Sequence, residues 1–101
     1  MKFKTVIGKT VELTAERKNY ILAKHPELKP HFNKIRNVLI KPDEIRRSKR
    51  NQQVLLFYKY FAKILGGKYI VVVTKFDTRN FVITAHITDK IKIGKKYEEK
   101  S

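Results

Sequence analysis

The hydrophobic pattern changes its period halfway along the chain, and this change constrains the fold more than any other feature of the sequence. In the first half, apolar residues recur at helical spacing. Three later segments, residues 54–61, 68–76 and 81–91, are instead rich in β-branched and aromatic residues. Gly66-Gly67 and residues 77–80 separate them with turn-forming sequence. Helices followed by strands with short connections predict an α+β domain with an antiparallel sheet.

The first helix has clear end signals. Thr14 is placed as an N-cap, because its hydroxyl can accept a hydrogen bond from the first turn of a helix over residues 15–24. Pro26 ends this helix, since the residue before a proline is driven out of helical geometry. His25 is therefore expected at the helix C-terminus.

A second helix is predicted between Pro30, at a first-turn position, and Pro42-Asp43. Its apolar stripe comprises Phe32, Ile35, Val38 and Leu39. Residues 3–13 are expected to form a short strand or hairpin at an edge, and residues 45–47 to begin a further strand.

These elements predict two N-terminal helices packed on one face of a mostly antiparallel sheet of about four strands. The other face of the sheet is then free to meet a ligand. The 101 residues suffice for a single domain with one core, and residues 95–101 are expected to be a flexible basic tail.

Charge indicates the partner. Lys and Arg number 24 against 9 Asp and Glu, for a formal net charge of +15. No acidic residue occurs in residues 45–76, where eight are basic: Arg46, Arg47, Lys49, Arg50, Lys59, Lys63, Lys68 and Lys75. A heat-adapted charged surface would be enriched in Glu as well, which is not seen. The clustering favours binding to a polyanion such as RNA.

Several other classes of protein are disfavoured. There is no cysteine, and the three histidines, His25, His31 and His86, lack metal-ligand spacing, so neither a metal nor a cofactor is expected. No glycine-rich loop has the spacing of a nucleotide-binding motif. No apolar run is long enough to span a membrane, and no signal segment follows Met1, so a cytoplasmic, non-membrane protein is expected.

Histidine, arginine, lysine, tyrosine and threonine suffice for one reaction on RNA. A base removes the proton of the 2′-hydroxyl, which attacks the adjacent phosphate, while an acid protonates the leaving 5′-oxygen. Cations stabilise the charge that develops on the phosphoryl oxygens. The reaction leaves a 2′,3′-cyclic phosphate and needs no metal ion.

Strand alternation indicates which residues share a surface. In residues 81–88, Thr84 and His86 are expected on the free face, with Val82 and Thr88, while the intervening residues point to the helices. Tyr58 and Tyr60 placed on the same free face could stack on bases.

Each residue also has a purely structural interpretation. His25 at a helix end can cap carbonyl groups. His86 on a strand face can be an ordinary half-exposed side chain. Tyr58 and Tyr60 suit a strand at the core edge, and Arg46 and Arg47 a solvated face.

The order of short motifs nevertheless resembles a known group of nucleases. The matching segments are Lys24-His25-Pro26-Glu27, Leu39-x-x-Pro42-Asp43-Glu44-Ile45-Arg46, Leu55-Leu56-Phe57-Tyr58-Lys59, Val71-Val72-Val73 and Phe81-Val82-Ile83-Thr84-Ala85. Together they resemble the phage-type nucleases related to barnase, EndoU, the colicin-type tRNases and the RelE toxins, over residues 10–95.

The resemblance implies helices on an antiparallel four-stranded sheet and metal-independent RNase activity. Matching positions imply His25, Arg46, Tyr58, Lys59 and Thr84 as catalytic residues, with His25 as acid or base. His86 is added from the strand pattern. Further contacts with nucleic acid are expected from Arg47, Lys49, Arg50, Tyr60 and Lys75.

Three hypotheses about function follow: a metal-independent endoribonuclease, a non-catalytic RNA- or DNA-binding module with a basic free face, or a ribosome-associated structural protein. If the nuclease is toxin-like or phage-derived, an acidic inhibitor protein is also expected as a partner. Analysis of RNA products separates the first hypothesis from the others.

Overall fold

The computed structural model of the chain describes residues 1–91 and the backbone of residues 95 and 96. The last part of the tail expected over residues 95–101, from residue 97 onward, lies outside the described residues. The strand predicted over residues 81–91 ends earlier than expected, at Thr88. The described elements, in chain order, are β1 (Lys2–Lys4), β2 (Thr10–Glu12), α1 (Ala15–Lys24), a 3₁₀ helix (Pro26–Lys34), α2 (Ile35–Ile40), β3 (Glu44–Arg47), β4 (Val54–Phe61), β5 (Lys68–Phe76), β6 (Asn80–Thr88) and β7 (Lys95–Lys96).

The strands form one sheet in the order β1-β2-β6-β5-β4-β3-β7. The α+β architecture is as predicted, and β3 to β6 are the four central antiparallel strands. The sheet is larger than four strands, because the β1-β2 hairpin adds at one edge and β7 at the other. It is also mixed, since β2 pairs in parallel with β6 through Glu12 and Phe81.

Helix α1 begins and ends where the sequence predicts. The Arg17 amide donates a hydrogen bond of 3.1 Å to Thr14 Oγ1, which caps the helix. At the other end, the backbone amide of His25 donates to the carbonyl of Ile21, at 2.8 Å, and Pro26 follows.

The second helical segment differs from its prediction. It starts as a 3₁₀ helix at Pro26 and becomes α-helical only at Ile35. Pro30 accounts for the difference, because it has no amide hydrogen for an α-type bond to the carbonyl of Pro26 and its ring would clash with that carbonyl. The predicted apolar stripe does face the core: Ile35, Val38 and Leu39 are buried, and Phe32 packs against them.

The core lies between the helices and one face of the sheet. A cross-strand row of Ile45, Phe57, Val72 and Ala85 faces the helices, with Phe57, Val72 and Ala85 fully buried. Ile21 of α1 and Ile35 of α2 belong to the same buried cluster. No helix within the described part of the chain is long and apolar enough to cross a bilayer.

An irregularity in the sheet overturns one prediction of strand alternation. The pairing of β5 with β6 shifts between Val73, opposite Thr84, and Thr74, opposite Val82. Because the ladder skips Ile83, Val82 turns toward the core together with Ala85. Val82 was expected on the free face beside Thr84 and His86, and that expectation is wrong.

Candidate active site

The face of the sheet that points away from the helices carries several of the expected site residues. We call it the distal face. Its rows follow from the strand register: Glu44, Tyr58, Val71 and His86 lie side by side across four strands, and Arg46, Leu56, Val73 and Thr84 form the next row. Tyr60, Tyr69 and Thr88 form a third row.

His25 and His86 meet at the β6 edge of this face. Their rings are stacked, with centroids 5.2 Å apart and an angle of 29° between the ring planes. His25 is placed there by the C-terminus of α1, which packs on β6. The sequence indicated each histidine separately, and the structure brings them together.

Glu27 lies beside this pair. Its Oε1 is 3.6 Å from Nδ1 of His25, and the two side chains are 44% and 31% exposed. Both residues belong to the His-Pro-Glu motif, and the turn at Pro26 returns the carboxylate toward the imidazole. A carboxylate at one ring nitrogen orients the ring and leaves the other nitrogen available for a ligand.

Thr84 and His86 are both on the distal face, as alternation predicts for this stretch of β6. They are two residues apart on one strand, so their Cα atoms are separated by about 6.5 Å. Thr84 is half-buried.

Arg46 lies on the same face but at the opposite side of it. Arg46 and Thr84 stand at the two ends of one cross-strand row, three strands apart, so their Cα atoms are separated by about 14 Å. Arg46 Nη2 donates a hydrogen bond of 3.1 Å to Glu44 Oε1. The Arg46 side chain is only 26% exposed, so Glu44 holds it close to the sheet.

The two tyrosines differ in their exposure. Tyr58 is only 1% exposed, and Tyr69 packs against it edge-on with ring centroids 6.3 Å apart. Its ring is therefore not presented for stacking on a base. Tyr60 is 48% exposed, and its ring centroid lies 5.3 Å from that of Tyr69. The distal face therefore carries one accessible aromatic ring.

Lys59 does not belong to this site. Strand alternation turns it to the opposite side of β4 from Tyr58, where its Nζ donates to the Lys41 carbonyl at 2.9 Å and lies 3.9 Å from Asp43 Oδ1. The expectation that it stabilises phosphate next to Arg46 is not supported by this arrangement. Its contacts with the segment before β3 instead give it a structural role.

The other expected binding residues surround the β3 edge. Lys49 and Arg50 are exposed in the connection to β4, and Arg47 donates to the backbone carbonyl of Gln52. Lys75 is half-buried on β5, opposite Val54. These cations do not form one patch, because Arg47 points to the helix side of the sheet and Lys75 to the distal side.

Strand β7 lies along the same edge. Its backbone pairs Lys96 with Arg46 and Lys95 with Arg47. The flexibility expected over residues 95–101 stays a prediction.

Two residues of this face were missed from the sequence: Glu44, which binds Arg46, and Tyr69, which contacts both Tyr58 and Tyr60. Alternation along β5 could have placed Tyr69 on one face with Val71. The pairing of Glu44 with Arg46 could have been inferred only from their two-residue spacing on a strand.

Residues 1–91 contain no group of three histidine or acidic side chains arranged to hold a metal ion. Comparison with known proteins adds no assignment: no family model matches the chain, and no match was found among curated proteins or solved structures.

Proposed function

We propose that the chain is a metal-independent endoribonuclease. The observation that carries this proposal is the stacked pair of His25 and His86, which belong to distant parts of the chain and meet at the edge of a sheet in a strongly basic protein. Two imidazoles at one location provide both a proton acceptor and a proton donor near neutral pH.

The reaction follows from that pair. One histidine, in its neutral form, removes the proton of the 2′-hydroxyl, and the oxygen attacks the adjacent phosphorus. The other, in its protonated form, donates a proton to the leaving 5′-oxygen, and a 2′,3′-cyclic phosphate remains. Glu27 supports His25 in this scheme by holding its ring from the Nδ1 side.

The remaining residues serve binding and charge stabilisation. Thr84 is near enough to His86 to orient the phosphate or the ribose, and Arg46 contributes positive charge from the other side of the distal face. Tyr60 supplies the stacking surface. Tyr58 supports the site from the buried layer, and Lys59 takes no part.

A second candidate function is a non-catalytic RNA-binding module. The edge of the sheet at β3 favours it, because Arg46, Arg47, Lys49 and Arg50 follow one another there without an acidic residue, and a phosphate backbone would complement their charge. The same edge would also attract an acidic inhibitor protein if the nuclease acts as a toxin.

Product analysis tests the proposal. Purified protein incubated with end-labelled RNA in EDTA is expected to yield fragments ending in 2′,3′-cyclic phosphate. The variant His25→Ala is expected to bind the same RNA without cutting it. RNA that is bound but left intact by the unmodified chain, with and without added divalent ions, would favour the binding module instead.

A further inference from the structure

A cavity lies far from the histidine pair, on the helix side of the sheet. Its volume is about 220 Å³, and it is lined by Ile7, Lys9, Arg47, Gln52, Gln53 and Phe76, among others. We call it the β1-β4 pocket, because its lining includes the turn that follows β1 and the segment that leads into β4. Phe76 is about 17 Å along β5 from Val71, which is the strand partner of His86, and it faces the other side of the sheet.

We propose that the β1-β4 pocket binds one nucleotide of single-stranded RNA. It combines two cations, two amide side chains and one aromatic ring, and no acidic residue is among those that line it. This is the chemistry that recognises a nucleotide: cations for phosphate, amides for the edge of a base and a ring for its face.

The walls of the pocket are held in place by backbone contacts. The Lys9 carbonyl accepts from both the amide and the hydroxyl of Thr5, at 2.8 and 2.7 Å. On the other side, the Phe76 amide donates to the Gln53 carbonyl at 2.8 Å, and the Gln53 amide donates to Asn51 Oδ1 at 2.9 Å. A ligand would therefore meet fixed backbone and pay little ordering cost.

The side chains are positioned for their roles. The Lys9 ammonium lies 5.8 Å from the centre of the Phe76 ring, which packs on Phe57 of the core. Gln52 and Gln53 are exposed, and their amide groups have no hydrogen-bond partner within the part of the chain that the structure describes. Those amide groups are available to a base.

Arg47 connects this pocket to the rest of the basic surface. It lines the pocket on the helix side of β3, while its neighbour Arg46 lies on the distal face. The two neighbouring arginines thus place positive charge on both sides of the sheet at one point along β3. The inference rests on the proposal that RNA is the ligand, but it does not require cleavage.

The test uses nucleotides that cannot be cleaved. Titration of the full chain with 5′-nucleoside monophosphates, followed by NMR, is expected to shift the amide signals of Gln52, Gln53 and Phe76. Inorganic phosphate at equal concentration is expected to bind at least about tenfold more weakly. Equal binding of phosphate would overturn the proposal in favour of a simple anion site.

A matched pair of double variants completes the test. Lys9→Ala with Gln53→Ala removes one charge and one amide from the pocket, and is expected to weaken nucleotide binding about tenfold. Lys29→Ala with Asn33→Ala makes the same change at exposed positions of the 3₁₀ helix, and should leave affinity unchanged. Equal losses of nucleotide affinity in the two double variants would show that nucleotides are attracted only by the overall positive charge of the protein.

This experiment separates the two proposals. His25→Ala is expected to abolish cleavage while leaving nucleotide binding in the β1-β4 pocket intact. Normal RNA cleavage with no binding of any monophosphate would refute the pocket alone. Nucleotide binding without cleavage would refute the nuclease and retain the pocket.

Discussion

The rings of His25 and His86 stack 5.2 Å apart, although one ends the first helix and the other lies near the end of the last long strand. Neither residue is positioned by the other. His25 is held by the end of α1, and His86 by its register opposite Val71. Two rigid elements thus place two titratable rings at one point on the distal face.

Replacement of either histidine is expected to abolish most of the RNase activity. General acid and base catalysis each contribute about 10²–10⁴-fold, so His25→Ala and His86→Ala should each lower kcat by at least about 10²-fold. Both rings are partly exposed, and circular dichroism should show an intact fold. Single-turnover cleavage of a labelled RNA gives the rates.

His31→Ala provides the control for that pair, since His31 lies in the 3₁₀ helix and belongs to no part of the site. It should retain full activity. Because one histidine must be neutral and the other protonated, the pH-rate profile of the unmodified protein should be bell-shaped. A flat profile together with active single variants would eliminate the acid-base scheme.

Arg46 and Lys59 should respond differently to substitution, because they lie on opposite sides of the sheet. Arg46→Gln is expected to raise KM for RNA about threefold and to leave kcat nearly unchanged, because Arg46 lies too far from the histidine pair to contact the reacting phosphate and contributes only to binding the RNA backbone. Lys59→Met should keep the activity and lower the free energy of unfolding by about 1 kcal/mol, since it removes the bond to the Lys41 carbonyl.

Activity assays and urea denaturation of both variants check this prediction. The contrary result would be a loss of turnover in Lys59→Met without a loss of stability. It would place the Lys59 side chain at the active site on the distal face and not on the helix side of β4.

The buried hydroxyl of Thr74 is expected to stabilise the sheet. Thr74 is fully buried, and its Oγ1 donates to the Leu55 carbonyl at 3.0 Å. Thr74→Val keeps the shape but leaves that carbonyl without this donor, which should cost about 1–2 kcal/mol in urea denaturation. The exposed substitution Thr10→Val, on β2, should change stability by less than about 0.5 kcal/mol.

A side chain at Gly67 is expected to destabilise the turn, because Tyr60 would have to move. Its φ is +112°, and an added Cβ would lie 2.0 Å from the Tyr60 hydroxyl. Gly67→Ala should therefore cost more stability than Gly66→Ala, where φ is +77° and the space is open, so that only backbone strain of about 1 kcal/mol applies.

A second substitution tests the contact itself. In a background of Tyr60→Phe, which lacks the hydroxyl, Gly67→Ala should recover part of its loss in a double-mutant cycle. No coupling between the two sites would mean that strain alone explains the effect.

The stability contributed by Asp89 should depend on pH. The hydrogen bond and the positive charge of Lys68 lower the pKa of the Asp89 carboxyl below its ordinary value of 3.8. A lowered pKa in the folded state stabilises the fold above the unfolded value, and this stabilisation is lost as the pH falls through the folded value. Asp89→Asn should therefore lower Tm slightly at pH 7 and leave it unchanged at pH 2.

Thermal unfolding at the two pH values measures this effect. Asp77→Asn, at an exposed residue of the turn between β5 and β6, is the matched control and should show no such difference between the two conditions.

Some parts of the fold were predictable because their signals are local. Thr14 caps α1 and Pro26 ends it through contacts within a few residues, so both could be inferred directly from the sequence. The bounds of β4 and β5 match their predicted segments for the same reason, since Gly66-Gly67 breaks the pattern between them. The role of Pro30 was misjudged, because the helical segment begins at Pro26, so that Pro30 lies inside it and not in its first turn.

The site was less predictable, because burial and register depend on partners far away in the chain. The sequence left Tyr58 open between a stacking residue and an aromatic residue at the core edge, and burial beside Tyr69 decides for the second. Val82 belongs by alternation to the distal face, but the register shift opposite Thr74 turns it into the core.

By itself, the sequence determined the two helical segments, the three long strands, the clustering of positive charge and the set of residues available for chemistry. Only the tertiary structure decided that His25 meets His86, that Lys59 points away from Arg46, and that Lys9 and Arg47 line one pocket with Gln52 and Gln53. The reason is physical: caps, proline sterics and periodicity act between neighbours in sequence, whereas cross-strand register and packing join residues that the chain itself keeps far apart.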